Sequence, residues 1–155
     1  MIDAMGTISR DFSYKEFEVT DIERLKIANV IRTIPVRDSI KVLVEDVLQP
    51  LRDAWKAPLS INSGYRCEAV NKAVDGSPTS QHLKGEAADV CPSFCRNDSS
   101  VSEERVFALA QMAKDLHLPF DQMILYPHFV HFSHSLNGVQ RGEILYSKTY
   151  RGKRF

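Results

Sequence analysis

The chain has 155 residues, with 20 Lys and Arg against 20 Asp and Glu, and is 43% hydrophobic and 26% charged. That length fits one domain able to bury about two thirds of its unfolded surface without disulfide staples. The charge balance leaves no global field to draw nucleic acid or an anionic membrane surface. Nor is any stretch apolar enough over its length to span a bilayer, and Met1-Ile2-Asp3-Ala4-Met5-Gly6 carries an early acid and no apolar run, so it does not read as a signal peptide.

Ser13-x-x-Glu16 and Thr20-x-x-Glu23 have the form of capping boxes and predict two short opening helices, the second running towards Ile27. Pro35 interrupts. Ile40, Leu43, Val44, Val47, Leu48, Leu51 and Trp55 then recur at helical spacing with charged residues between them. This predicts a long amphipathic helix, which Pro50 should kink or split because proline removes a backbone donor and clashes with the preceding turn. Residues 59–63 predict a short strand ending at Gly64, residues 67–74 a short helix, and Asp75-Gly76-Ser77-Pro78-Thr79 a turn. After a strand at 87–90 and an irregular stretch at 92–97, Ser100-x-x-Glu103 caps a helix with Val106, Leu109, Ala110, Ala113 and Leu116 on one face. His117 ends that helix, where the dipole favours a cation. Residues 120–126 predict a buried strand, Val130 and its neighbours another, Asn137-Gly138 a turn and residues 143–146 a last strand, before a basic C-terminal tail at 148–155. Cys67, Cys91 and Cys95 form no C-x-x-C pair and leave an odd one over, so they read as reduced, small buried residues rather than a disulfide framework.

The most specific chemistry lies in Ser80-Gln81-His82-Leu83-Lys84-Gly85-Glu86-Ala87-Ala88-Asp89. Gly85 can adopt φ > 0 and reverse the chain, so His82 leaves a loop, Asp89 leaves a strand, and their donor atoms converge from separate segments. Imidazole nitrogen and carboxylate oxygen suit zinc, and a catalytic zinc takes three protein ligands with a fourth position open. A third ligand is therefore expected downstream, where His128, His131 and His134 stand close together. Strand alternation sends 129, 131 and 133 to one face and 128, 130, 132 and 134 to the other, so His131 and His134 do not both face one metal. The facial triad of non-haem iron uses the same donor types with a single residue between its first two ligands; the longer gap here favours zinc.

Taken in order, Asn62-Ser63-Gly64-Tyr65-Arg66, Asn71, Ser80-x-His82-x-x-Gly85-x-Ala87-x-Asp89 and Val130-His131-Phe132-Ser133 resemble the zinc D-alanyl-D-alanine carboxypeptidase family, relatives of the Hedgehog-type domains. Residues 12–16 and Leu48-Gln49-Pro50-Leu51-Arg52 are similar to the family's opening segment. The resemblance implies a single α+β domain over 1–155, with helices packed on a small, mainly antiparallel sheet bearing a zinc cleft. It implies His82, Asp89 and His131 as zinc ligands, because the family's last motif sets its histidine between hydrophobic neighbours and ahead of a small polar residue. It also implies that Arg66 contacts substrate and stabilises charge on the attacked carbonyl, with Ser80 and Tyr65 beside it. Ser80 reads equally as a turn-capping hydroxyl. The family's general base is an acidic residue three positions before the last zinc histidine, and here that position is His128. Its imidazole can accept a proton near neutral pH, and Tyr126 and Tyr65 offer phenol hydroxyls in support.

Zinc is thus the expected cofactor. The expected reaction is hydrolysis of peptide bonds in peptidoglycan stem peptides, by a D,D-carboxypeptidase or an L-alanyl-D-glutamate endopeptidase of phage type. The alternatives are a non-catalytic, zinc-stabilised module whose basic tail docks on anionic wall polymers, and a phage structural component. A monomer is expected, with stem peptides as partners, no nucleic acid and no membrane span. Lacking a signal peptide, the protein would be made in the cytoplasm and reach the wall by holin release, phage assembly or a specialised secretion path.

Overall fold

A computed structural model describes residues 6–155. Residues 1–5, on which most of the signal-peptide reading rests, lie outside the described residues. A short hairpin of β1 (Thr7–Ser9) and β2 (Phe12–Ser13) opens the chain and leads into a 3₁₀ turn, Tyr14–Glu18. The first capping box forms there: Glu16 Oε1 accepts from the Ser13 backbone N–H at 3.0 Å. The second does not. Thr20 Oγ1 accepts from the N–H of Ile22 at 3.2 Å, the following 3₁₀ turn covers only Glu23–Leu25, and Ile27 is 91% exposed.

The apolar stripe from Ile40 to Trp55 becomes one helical rod in three pieces, α1 (Ile34–Leu43), a π-helical turn (Val44–Leu48) and α2 (Gln49–Trp55). Pro35 does not interrupt but sits in the first turn of α1, where its missing N–H has no partner to lose. Pro50 does shape the rod. Its ring crowds the carbonyl one turn back, and the wider π turn just ahead of it lets the helix continue rather than break. Ile40, Leu43, Val44, Val47, Leu48 and Leu51 are all fully buried, each contributing about 1.5–3 kcal/mol of apolar burial.

That stripe packs on a five-stranded sheet of β3 (Ser60–Ser63), β4 (Ala87–Cys91), β5 (Gln122–Leu125), β6 (Val130–Ser133) and β7 (Glu143–Tyr146). The order across the sheet is β3-β4-β6-β5-β7, antiparallel throughout except for the parallel β5–β7 pair. The domain is therefore α+β with a mainly antiparallel sheet, as the sequence implies. Ala88, Val90, Met123, Leu125, Val130 and Phe132 turn one face of the sheet into the core, where the 0%-exposed residues Val106, Leu109, Ala110 and Ala113 of α4 (Glu103–Asp115) join them. The opposite face is left free for chemistry. A short helix, α3 (Glu68–Ala73), lies between β3 and β4 in the chain.

Three local readings shift. The cap of α4 is Ser102, whose Oγ accepts from the Arg105 N–H at 3.1 Å, while Ser100 hydrogen-bonds Asp98 instead. Among the cysteines only Cys91 is buried; Cys95 is exposed, on the irregular loop. The basic C-terminal residues pack against the body: Phe155 lies tilted against Phe107 with centroids 4.6 Å apart, Arg154 covers the Tyr146 ring at 4.6 Å, and Tyr150 is fully buried. No helix of the described residues is long and apolar enough to cross a membrane.

Candidate metal centre and its cleft

His82 is delivered by a 3₁₀ turn, Gln81–Lys84. Ser80 caps it, its Oγ accepting from the His82 N–H at 3.2 Å, and Gly85 closes it at φ +73°. A side chain at Gly85 would also meet the Val36 carbonyl oxygen at 2.7 Å, so glycine is required twice over. Asp89 and His131 face each other directly across the β4–β6 ladder, which puts both side chains on the sheet face away from the core.

The three side chains converge. Asp89 Oδ1 lies 3.4 Å from His82 Nε2 and 3.0 Å from His131 Nδ1, and one ligand atom from each residue falls within 4.8 Å of the others. His82 Nδ1 is 2.6 Å from the Gly64 carbonyl oxygen, which can only accept, so Nδ1 carries the proton. In a neutral imidazole Nε2 is then a lone pair aimed at a carboxylate oxygen. Two acceptors facing each other in a buried site call for a cation between them, and this donor set fits zinc. Burial alone would raise the Asp89 carboxyl; where protons take the place of that cation, the charge and hydrogen bonds of protonated His82 and His131 hold it well below the ordinary carboxylate range.

Arg66 stands on the β3 side of the cluster. Its Nη2 is 3.6 Å from Asp89 Oδ2, its Nε donates to Ser63 Oγ at 3.1 Å and its Nη1 to Asn71 Oδ1 at 3.4 Å. Asn71 is held in turn by the Ser77 carbonyl at 3.0 Å, and Gly76 passes so close that a β-carbon there would lie 2.0 Å from Asn71 Oδ1. The Asn71 quoted from the motif is thus a support for the arginine.

A cleft of about 480 Å³ opens over the cluster, a volume suited to a short peptide. Its lining includes Arg66, Ser80, His82, Asp89 and His131, together with Tyr126. Burial, then the nearby Asp89 charge, raises the Tyr126 hydroxyl above its ordinary range, with Arg66 acting the other way, so it stays protonated and can donate. Two expected residues are not brought to the cleft. His128 turns its Nδ1 to the Val101 carbonyl oxygen at 2.8 Å, because it lies in the bend between β5 and β6, outside the regular strand whose alternation directs His131. Tyr65 packs partly buried against the core, its own N–H donating to the Phe17 carbonyl at 2.8 Å. His134 also lies apart, with Nε2 3.4 Å from Asp46 Oδ2 on the π turn.

The sequence model of the Peptidase M15 family matches residues 11–133, a span that holds all three candidate ligands and Arg66. The chain belongs to the M15 family of zinc D-alanyl-D-alanine carboxypeptidase-like peptidases. It is accordingly a metallopeptidase by family, with zinc as its cofactor, and His82, Asp89 and His131 are the residues of this M15 chain placed to hold the ion. No curated protein sequence matches the chain.

The lining of this M15 chain's cleft also includes Gln81, Gln122, Ile124 and Arg141, with residues of the turn before Ser80. Gln122 and Ile124 were within reach of sequence reasoning, because they alternate with the buried Met123 and Leu125 along β5. Arg141 was not; it reaches the cleft through a tertiary bond to Asp121. The Arg141 fork holds the Asp121 carboxyl at about 2 against burial, so the pair contributes stability above the usual carboxylate range and loses it as pH falls from about 4 to about 2. Asp121→Asn is expected to lower stability by about 1–2 kcal/mol at neutral pH, a gap that narrows on acidification. Urea unfolding at pH 7 and pH 2 measures both; a gap that widens in acid would assign the effect elsewhere.

Proposed function

We propose that the protein hydrolyses peptide bonds in peptidoglycan stem peptides containing D-amino acids, acting at the bacterial cell wall. The observation that carries the reading is the convergence of His82, Asp89 and His131 within 4.8 Å at the floor of a peptide-sized cleft walled by Arg66. Zinc bound there supplies Lewis acidity, polarising a peptide carbonyl and making water acidic enough to attack near neutral pH. Arg66, fixed by Ser63 and Asn71, presents its guanidinium to the carbonyl oxygen as negative charge develops on it, or to a substrate carboxylate. Tyr126 lines the same cleft, where its protonated phenol is available to donate to substrate. His82 keeps its Nδ1 proton on the Gly64 carbonyl, which holds Nε2 as an electron-pair donor throughout.

A second reading is favoured by one observation: Asp89 is the sole carboxylate lining the cleft among the described residues, and His128 is turned away from it. A zinc-stabilised module that grips wall peptides without cutting them would need no base. Mass spectrometry of defined muropeptides incubated with the zinc-loaded protein decides between the two. Loss of a terminal D-Ala, or a cut after L-Ala, that disappears with a chelator supports the peptidase and names its bond. No cleavage across several wall chemistries, with zinc still bound, supports the module. In the same assay His128→Ala is expected to retain activity within about threefold, because its ring bonds the Val101 carbonyl outside the cleft; a loss of about 10²-fold or more would restore it as the proton shuttle.

A further inference from the structure

Asp121 is 4% exposed and lies beside the start of β5. Its Oδ1 accepts from the Arg141 backbone N–H at 3.0 Å and from Arg141 Nε at 3.0 Å, and its Oδ2 accepts from Arg141 Nη2 at 2.9 Å and from Gln81 Nε2 at 3.2 Å. Four donors fill the acceptor sites of a carboxylate, so Asp121 has nothing left to offer a ligand. It anchors. Gln81 ties the anchor to the turn that carries His82, and the backbone of the segment before β7 hangs on the same carboxylate.

The arginine is the opposite case. Its side chain is 56% exposed, it lines the cleft, and its Nη1 makes no hydrogen bond among the described residues. Nε and Nη2 are locked in a fork, so the orienting cost of a long side chain is already met before a ligand arrives. The strand order then sets its place relative to the metal cluster. Arg66 follows the edge strand β3, Asp89 and His131 stand on β4 and β6, and Arg141 leads into the other edge strand, β7. Two strand spacings, about 10 Å, separate β6 from β7, which is the reach of roughly three extended residues. Within the lining, two guanidiniums and a divalent metal outweigh the one carboxylate of Asp89.

We propose that Arg141, locked by Asp121, which Gln81 braces in turn, is a specificity-determining residue that binds a free carboxylate of the substrate on the side of the metal opposite Arg66. The site therefore selects peptides that carry an acidic group near the scissile bond and discriminates against their amidated counterparts. This rests on the peptidase or wall-peptide reading of the same cleft and names what that cleft recognises. Arg141 acts by holding substrate, and Asp121 is its positioning residue.

The test is titration calorimetry of the zinc-loaded protein with two L-Ala-γ-D-Glu-L-Lys tripeptides, N-methylated at the Ala–Glu amide so that this bond is not cut. They differ only in whether the free carboxyl of the Glu residue is acid or amide. Wild type is expected to bind the acid at least about tenfold more tightly. Arg141→Gln should narrow the ratio to within about twofold, Arg141→Lys should recover part of it, and Asp121→Asn should give an intermediate ratio. A purely structural role would change affinity for both peptides equally, and an unchanged ratio in Arg141→Gln overturns the proposal, as does a wild type that binds both forms equally or neither. Circular dichroism of each variant confirms that the fold is kept. Discrimination in binding with no muropeptide cleavage removes the peptidase reading and leaves this one standing; cleavage without discrimination does the reverse.

Discussion

Replacing His131 with alanine is expected to abolish zinc binding and peptidase turnover together while leaving the fold in place. Its side chain faces the cleft, whereas the neighbours that hold β6 in the core, Val130 and Phe132, are fully buried on the other face. Loss of a hydrogen-bonding partner behind a metal ligand already costs about 10–100-fold in affinity or activity, so loss of the ligand itself should exceed that, at least about 10³-fold in kcat/KM. Stability reports the same event independently. Zinc at about 100 times its Kd stabilises a binding protein by about 2.7 kcal/mol, which for a domain of this size raises Tm by about 5–10 °C. Wild type should show that rise, and His131→Ala should show none. Metal analysis and thermal unfolding with and without zinc check it; a variant that keeps one equivalent of zinc and the full rise would break the ligand set and redirect attention to His134.

Arg66→Ala is expected to lower kcat by about 10²–10³-fold with zinc retained, the size of effect seen when one donor to a developing oxyanion is removed. The guanidinium is held by three contacts, to Ser63, Asn71 and Asp89, so it is pre-aimed before substrate binds. Arg66→Lys should recover little. An ammonium cannot reproduce the separate Nε and Nη bonds that fix the fork. Steady-state kinetics on the peptide that wild type cuts, alongside metal analysis, separates the possibilities. A rise in KM with kcat unchanged would mean that Arg66 holds a substrate carboxylate equally in ground and transition states rather than meeting charge that develops on the carbonyl. Loss of zinc would instead make it a support for Asp89.

Much of this was legible because the information is local. Gly85 at φ +73° and the Ser80 cap are properties of a short turn, and the turn fixes where His82 emerges. The alternation of Val130, His131, Phe132 and Ser133 says which histidine shares a face with a partner strand. Helical periodicity located the stripe from Ile40 to Trp55, and proline's missing donor anticipated a disturbance near Pro50, though not that a π turn would absorb it. Errors of one or two positions, such as Ser100 for Ser102 at the start of α4, arose because both serines satisfy the same capping pattern and only the neighbouring Asp98 claims one of them.

Three placements were not legible, and they share a cause. His128 occupies the position where the family carries its base, but a residue's place in a motif does not fix its direction; the turn after Pro127 points its ring at Val101 on the loop before α4. Tyr65 stands beside Arg66 in sequence and is drawn into the core by Phe17. Arg141 sits in an unremarkable polar stretch, and it enters the cleft because the buried carboxylate of Asp121, just ahead of β5, holds it. Sequence by itself determined the five strands of the main sheet, the longer helices, the metal-binding residues and the family, since periodicity, turn chemistry and ligand spacing act over a few neighbouring residues, but not the opening hairpin β1–β2 or the 3₁₀ turns that follow it. Tertiary structure alone decided that Arg141 joins the cleft, that the His128 ring bonds the Val101 carbonyl and that Tyr65 packs on the core, because those depend on strand order and on polar groups finding their partners across the fold.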